Sequence, residues 1–430
     1  MPENSSLNGP EDRSSANRQK TRKRRGRGRA NGEGSIFPYR NGYAAYVWVT
    51  TPAGETKRRW AYGKTREEVH AKWLKLHEEA KKGPVTTNSP TLADYLAYWL
   101  REVVVPPEYA PMTCATYETL IRRYIVPGLG KKRLDKLTVR DVRAWLNTTR
   151  TTCQCCAQGK DARREEKKRR CCAKGRCCKQ VASERTIRDA WTVLRSALSN
   201  AVREELISKN VAALVRVSKP RARKSKPWSV DEARQFLESA RTSGDPLYAA
   251  YVLVLVLGLR KGEVLGLPWS AVNLDAAEVD VTWQLQRVRR ELLHRETKTE
   301  ASEATLPLPD ICVTALRLRQ KQQEQSREAA GAAWTDTGLV FTTRVGTPID
   351  PRNFNRAFEE RCQKAGVRRI KVHDTRHTCA TLLAALDVHP RVAMRILRHA
   401  QIDVTMEVYT EASDEKTLQA LKRLGEQLGD

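Results

Sequence analysis

Hydrophobic and polar positions follow different periods in successive parts of the chain. Over residues 34–63 the period is two. Tyr43, Ala45, Val47 and Val49 alternate with Ala44, Tyr46, Trp48 and Thr50, the pattern of strands buried on one face. Asn41-Gly42 reads as a hairpin turn, since both residues tolerate positive φ. Gly54 opens a third strand carrying Lys57, Arg58 and Arg59. A helix follows, capped by Thr65 with Glu68 three residues on, and Val69, Trp73 and Leu76 share one face.

From residue 91 the period becomes helical. Leu92, Tyr95, Leu96 and Trp99 form one stripe. Val142 and Leu146 follow a capping-box start at Thr138 and Asp141. Ile187, Trp191, Leu194, Leu198 and Val202 line a helix over 184–205. These predict a helical bundle over 91–212, interrupted at about 150–180. A basic stretch with two prolines, 213–227, reads as a linker. Ser229 and Glu232 form another capping box and open a last domain, 228–430. It contains the apolar helix Tyr248–Leu257, stopped by Gly258. A strand region near 279–308 and an apolar strand near Leu339–Thr342 come next. Leu418, Leu421, Leu424 and Leu428 place a stripe on a short helix over 415–428, which packs either on its own domain or on a neighbouring protomer. The fold class is therefore multidomain and mainly α with small β-sheets.

Charge narrows the partner. Lys and Arg number 78 against 50 Asp and Glu, a formal excess of +28 in 430 residues. Such an excess calls for a polyanion, nucleic acid first and an acidic membrane surface second. No apolar run is long enough to span a bilayer and no basic amphipathic anchor is evident, which argues against the membrane. Residues 1–33 read as a disordered basic arm, with the run KTRKRRGRGR at Lys20–Arg29 suited to phosphates. The start lacks the apolar core of a secretory signal, so a reducing, cytoplasmic (nucleoid) location is expected. There the eleven cysteines should be thiols or metal ligands. Seven of them fall in the interruption at 150–180. Cys153 and Cys156, with Cys172 and Cys177, have the spacing of a four-thiolate structural zinc site, although adjacent cysteine pairs leave the choice of ligands open. A charged insertion with free thiols is the alternative.

Candidate chemistry lies in the last domain. Arg260 follows the buried helix, with Glu263 three residues on. His373 and Arg376 share a helical face, His399 follows Arg398, and Tyr409 lies ten residues beyond. Guanidinium forks match phosphate oxygens and stabilise charge gathering on a pentacoordinate phosphorus. A tyrosine can serve as covalent nucleophile, and a lysine such as Lys298 can protonate a leaving oxygen. On charge alone, Lys261 and the arginines near 287–290 are alternatives to Lys298.

The segments LGLRKGEVLGLPW (257–269), TKTEASEATLPLP (297–309), HDTRHTCATLL (373–383) and LRHAQIDVTMEVYT (397–410) resemble the catalytic domain of tyrosine recombinases, the phage integrase family. Residues 34–83 resemble an arm-type DNA-binding domain and 91–212 a core-binding helical domain. The whole is similar to integrases of actinobacterial phages and integrative elements. The resemblance implies a C-terminal α+β catalytic domain that joins DNA through a 3′-phosphotyrosine, with no cofactor in catalysis. Arg260 and Arg376 would clamp the scissile phosphate, and His373 would assist it and the proton transfer. Lys298 would protonate the 5′-oxygen, His399 would bond the phosphate or nucleophile, Glu263 would orient the site, and Tyr409 would attack. Implied partners are double-stranded DNA at core and arm sites, three further copies in a homotetramer, a directionality factor and a DNA-bending protein. The chain departs from the family in two ways. Arg398 stands where Gly usually precedes the second His, which strains the turn if that position needs positive φ. The cysteine-rich insertion is absent from most members. A type IB topoisomerase-like nicking-closing enzyme and a DNA-binding regulator with an inactive recombinase-like domain are the rival readings.

Overall fold

The computed structural model describes residues 36–50, 54–81, 83, 89–218, 226–297, 304–398, 401, 406 and 422. The chain divides into two compact units, Met1–Ser89 and Pro90–Asp430.

In the first unit, β1 (Phe37–Tyr39), β2 (Gly42–Thr50) and β3 (Thr56–Gly63) form an antiparallel sheet in that order, followed by α1 (Arg66–Lys81). The alternation in β2 is realised. Ala45, Val47 and Val49 pack against Ala61, Val69 and Trp73, and the Trp73 indole N–H reaches Tyr46 O at 3.1 Å. The hairpin turn lies one residue earlier than Asn41-Gly42 predicts. Tyr39 pairs with Gly42 and the loop is Arg40-Asn41, with Arg40 at φ +53°. Gly42 is needed for closeness rather than φ, because a Cβ there would sit 2.3 Å from Gly63 O.

In the second unit, α2 (Leu92–Glu102) precedes α3 (Pro111–Leu120), which passes through a π turn at Ile121–Ile125 into α4 (Val126–Leu129). Pro127 has no N–H for the carbonyl four residues back, and Val126 N–H bonds Ile121 O across five. Then come α5 (Val139–Thr151), α6 (Gln154–Ala157) and α7 (Glu184–Arg203). The capping boxes of Thr138/Asp141 and, later, Ser229/Glu232 are both formed. Tyr95, Leu96, Trp99, Ile125, Trp145, Leu194 and Leu198 share one apolar core.

A separate core organises most of the rest, which ends in a smaller cluster of Cys379, Ala380 and Leu397. Its elements are α8 (Val230–Thr242), α9 (Tyr248–Val256), α10 (Lys261–Leu265), β4 (Val272–Asn273), β5 (Glu278–Asp280), β6 (Trp283–Val288), β7 (Glu291–Glu296), β8 (Thr305–Pro307), α11 (Asp310–Ala330), α12 (Pro351–Lys364), α13 (Asp374–Ala385) and α14 (Pro390–Leu397). The apolar helix α9 runs through the middle, packed on α8, α10, α11 and α13. Sheet order is β4-β5-β8, with β6-β7 as a separate hairpin. The apolar strand predicted near Leu339–Thr342 is instead an extended, buried segment held by isolated bridges from Leu339 to Pro268 and Thr342 to Pro348. Side chains replace a neighbouring strand: Arg319 Nε donates to Val340 O at 2.9 Å and Gln323 Nε2 to Leu339 O at 2.9 Å. Among the described residues, no helix is long and apolar enough to cross a membrane.

Candidate active site

The site begins where α9 ends. Gly258 takes φ +59°, which terminates the helix, and a Cβ there would meet Leu397 Cδ2 at 2.6 Å. The chain then turns directly into α10, whose N-cap is Arg260. Glu263 in the first turn of α10 is almost fully buried (3% exposed). It accepts Arg260 N–H at 2.8 Å and Arg260 Nη1 at 2.7 Å. The Arg260 side chain remains 38% exposed, so one face of its guanidinium is open to the cleft.

Arg376 comes from α13 and is buried beside it, with Nη1 donating to Gly258 O at 2.8 Å. Burial, and then the cations of Arg260 and Arg398, push its proton affinity down to about 9. It is still charged at neutral pH. Positive charge crowded into a low-dielectric pocket is a site that an anion relieves. His373, the N-cap of α13, stands edge-on to His377 with ring centroids 5.6 Å apart. Burial first, then His377 and Arg376, lower its pKa below the ordinary value, which favours neutral imidazole. Arg260, Lys261, Glu263, His373 and Arg376 line a cleft of about 690 Å³, which Met112 of α3 also reaches.

Arg398 is a residue whose role the linear sequence conceals. It takes φ +51°, ψ +51° at the end of α14, the left-handed conformation for which Gly is suited. Its side chain turns inward. The guanidinium is buried (3% exposed), with Nη2 on Glu263 Oε2 at 2.7 Å, while its carbonyl accepts Arg260 Nη2 at 3.2 Å. Arg398 therefore ties the end of α14 to the carboxylate that also holds Arg260. No sequence signal links positions 263 and 398.

Of the predicted site residues, Arg260, Glu263, His373 and Arg376 are brought together. Lys298, His399 and Tyr409 lie outside the described residues, as do the arm 1–33, the linker part 219–225 and all but Lys422 of the 415–428 helix. Two alternatives to Lys298 are committed elsewhere. Arg287 pairs with Asp350 and Arg289 with Glu118 of α3. Lys261 does face the cleft, half-buried, with Nζ on Asn355 Oδ1 at 3.1 Å, and burial lowers its pKa.

The zinc expectation changes in membership. Cys171, not Cys172, lies with Cys153, Cys156 and Cys177, their sulfurs all within 4.8 Å of one another. Cys172 is exposed, because the turn at Cys172–Lys174 directs its neighbour Cys171 inward. The first unit presents a second candidate surface. The face of its sheet away from α1 carries Tyr46, Trp48, Trp60 and Tyr62, with Trp48 52% exposed and the Arg58 guanidinium 4.6 Å from the Trp48 ring centroid. Of the predicted basic strand residues only Arg58 joins this face; Lys57 pairs with Glu55 and Arg59 with Glu79.

Comparison with known proteins accords with this geometry. Residues 228–416 match the phage integrase family, and residues 91–149 match the N-terminal SAM-like domain of phage integrases. A tyrosine recombinase XerC-like protein of Caldanaerobacter subterraneus is 26% identical over 393 residues, covering 87% of this chain and 93% of its own. An integrase of Streptomyces ambofaciens is 27% identical over 381 residues, covering 84% and 88%. Among solved structures, the Tn1549 transposon integrase in complex with transposon right end DNA superposes with a TM-score of 0.58 at 19% identity, over 78% of this chain and 99% of that one. A lambda integrase tetramer bound to a Holliday junction gives 0.51 at 17% identity, over 90% and 98%. The fold is thus that of these DNA-bound integrases. The chain belongs to the tyrosine recombinase, or phage integrase, family.

Proposed function

We infer that the chain is a site-specific DNA recombinase of the integrase type, which integrates or excises a mobile element. The observation that carries this reading is the paired guanidinium site. Arg260 and Arg376 reach one cleft from two elements, held by Gly258 O, the buried Glu263 and Arg398 O. That arrangement suits a phosphodiester whose equatorial oxygens gain charge during displacement.

In the reaction, the Tyr409 phenolic oxygen attacks phosphorus and the bond to the 5′-oxygen breaks. The phenolic proton passes to neutral His373, and Lys298 protonates the departing 5′-oxygen. The linkage conserves the phosphodiester's energy, so attack by a new 5′-hydroxyl rejoins the strand without ATP. His399 bonds the phosphate or the nucleophile. Lys261 is a second reading for the acid, favoured by its place in the cleft and its weakened hold on its proton. Residues 34–83 read arm sites through the open aromatic face. The domains 91–212 and 228–430, joined by the basic linker 213–227, close around the core site. Four protomers assemble on DNA, with a directionality factor and a DNA-bending protein as further partners, in the bacterial nucleoid.

Strand exchange between two DNA molecules carrying the sequence that flanks the gene tests this. Recombinants joined at one defined position are expected. Relaxation of arbitrary supercoiled DNA without exchange would mark a nicking-closing enzyme, and binding without any cleavage a regulator.

A further inference from the structure

The insertion between α5 and α7 is built around sulfur. Its buried side chains include Cys153, Cys155, Cys171 and Asp161, and its apolar cluster consists of cysteines alone. A segment with so little apolar surface does not order itself by hydrophobic burial. The sulfurs lie at spacings of 4.0 Å (Cys153–Cys171), 3.7 Å (Cys153–Cys178), 3.4 Å (Cys156–Cys171) and 3.9 Å (Cys156–Cys177). A disulfide requires about 2.05 Å. Four thiolates set about 2.3 Å from a tetrahedral zinc lie about 3.8 Å apart.

The surrounding backbone serves the sulfurs. Cys178 N–H donates to Cys171 Sγ at 3.2 Å and Lys179 N–H to Cys177 Sγ at 3.3 Å. The buried Asp161 carboxylate takes the N–H groups of Arg170, Cys171 and Ala173, which folds the second cysteine loop over the first. Two ligand groups result, Cys153–Cys156–Cys171–Cys177 and Cys155–Cys171–Cys178, and Cys171 belongs to both. A single four-thiolate site would leave the buried Cys155 and half-buried Cys178 against it without a partner ion.

We propose that the insertion holds a binuclear zinc cluster of six thiolates: Cys153, Cys155, Cys156, Cys171, Cys177 and Cys178. Cys171 bridges the two ions. Cys153, near both Cys171 and Cys178, bridges them as well and completes the second tetrahedron. All-thiolate donors select zinc over the hard cations. Cys172 takes no part. None of the six cysteines contributes to the apolar core of the helical bundle, so loss of the metal should unfold the insertion and leave that core in place.

The test is metal content of the full chain, purified reduced, by mass spectrometry. Two zinc ions per chain are expected, two also in Cys172→Ser, one in Cys155→Ser, and none in Cys171→Ser, with helical circular dichroism retained throughout. Cadmium substitution of the unaltered protein gives an independent readout that needs no variant. Two cadmium resonances coupled to each other are expected, the signature of shared thiolates. One zinc per chain, none, or two uncoupled cadmium signals would each overturn the proposal.

Discussion

Two arginines converge on the Glu263 carboxylate, and its burial gives each of them leverage on the site. Arg398 shows how the opposing effects balance. Its left-handed backbone costs roughly 1–2 kcal/mol relative to Gly, whereas breaking a buried ion pair by removing one partner costs roughly 3–5 kcal/mol. Arg398→Gly, although it restores the usual family residue, should therefore lower stability by about 2 kcal/mol in urea unfolding and slow cleavage by releasing Glu263. Arg398→Lys keeps the charge but not the fork, and should recover part of the stability and little of the rate. A stabilised Arg398→Gly would show that the ion pair contributes less than the backbone strain. His373 carries the pH dependence. Its pKa is lowered in the folded protein, so the native state takes up a proton less readily than the unfolded chain. Its contribution to stability is present above the ordinary histidine pKa and is lost as pH falls below it. Proton transfer from the nucleophile needs the neutral ring, so single-turnover cleavage should fall on the acid side in the same range. His373→Gln should remove that limb of the profile, and an unchanged limb would assign the titration elsewhere.

At the scale of elements, the junction of α9 and α10 sets the geometry. Gly258 supplies the positive φ, the carbonyl for Arg376, and the room for Leu397. Gly258→Ala should cost about 2 kcal/mol or more, from strain and overpacking together, and should reduce cleavage more than DNA binding, measured side by side on the core site. The sequence made such local elements legible. The capping boxes at Thr138 and Ser229, the alternation in β2 and the end of α9 at Gly258 depend on residues a few positions apart, and the structure forms them all. What escaped depends on distant partners. The hairpin register was set by the closeness of Gly42 to Gly63 O rather than by turn chemistry. The segment at Leu339–Thr342 looks like a strand because it is apolar and buried, yet Arg319 and Gln323 take its carbonyls. The choice of Cys171 over Cys172, and the Glu263–Arg398 pair, are long-range contacts that neighbouring residues do not encode. The clustering of Arg260, His373 and Arg376 was legible because the motif order carries it.

For the whole molecule, two separate apolar cores in the second unit flank the cleft that Met112 and Arg260 share. The hairpin β6-β7 ties one to the other through Arg289 and Glu118. Each half thus has packing of its own, which suits the proposed closure around a core site. The positive charge brings the duplex in. What then happens rests on one bond. A nicked substrate that carries the attachment site and traps the cleaved strand should become covalently attached to the protein, and peptide mapping should place the 3′-phosphate on Tyr409. The adduct should form in the presence of chelator and be absent from Tyr409→Phe, which still binds the site. An adduct mapped to another residue, or one that persists in Tyr409→Phe, would contradict the account.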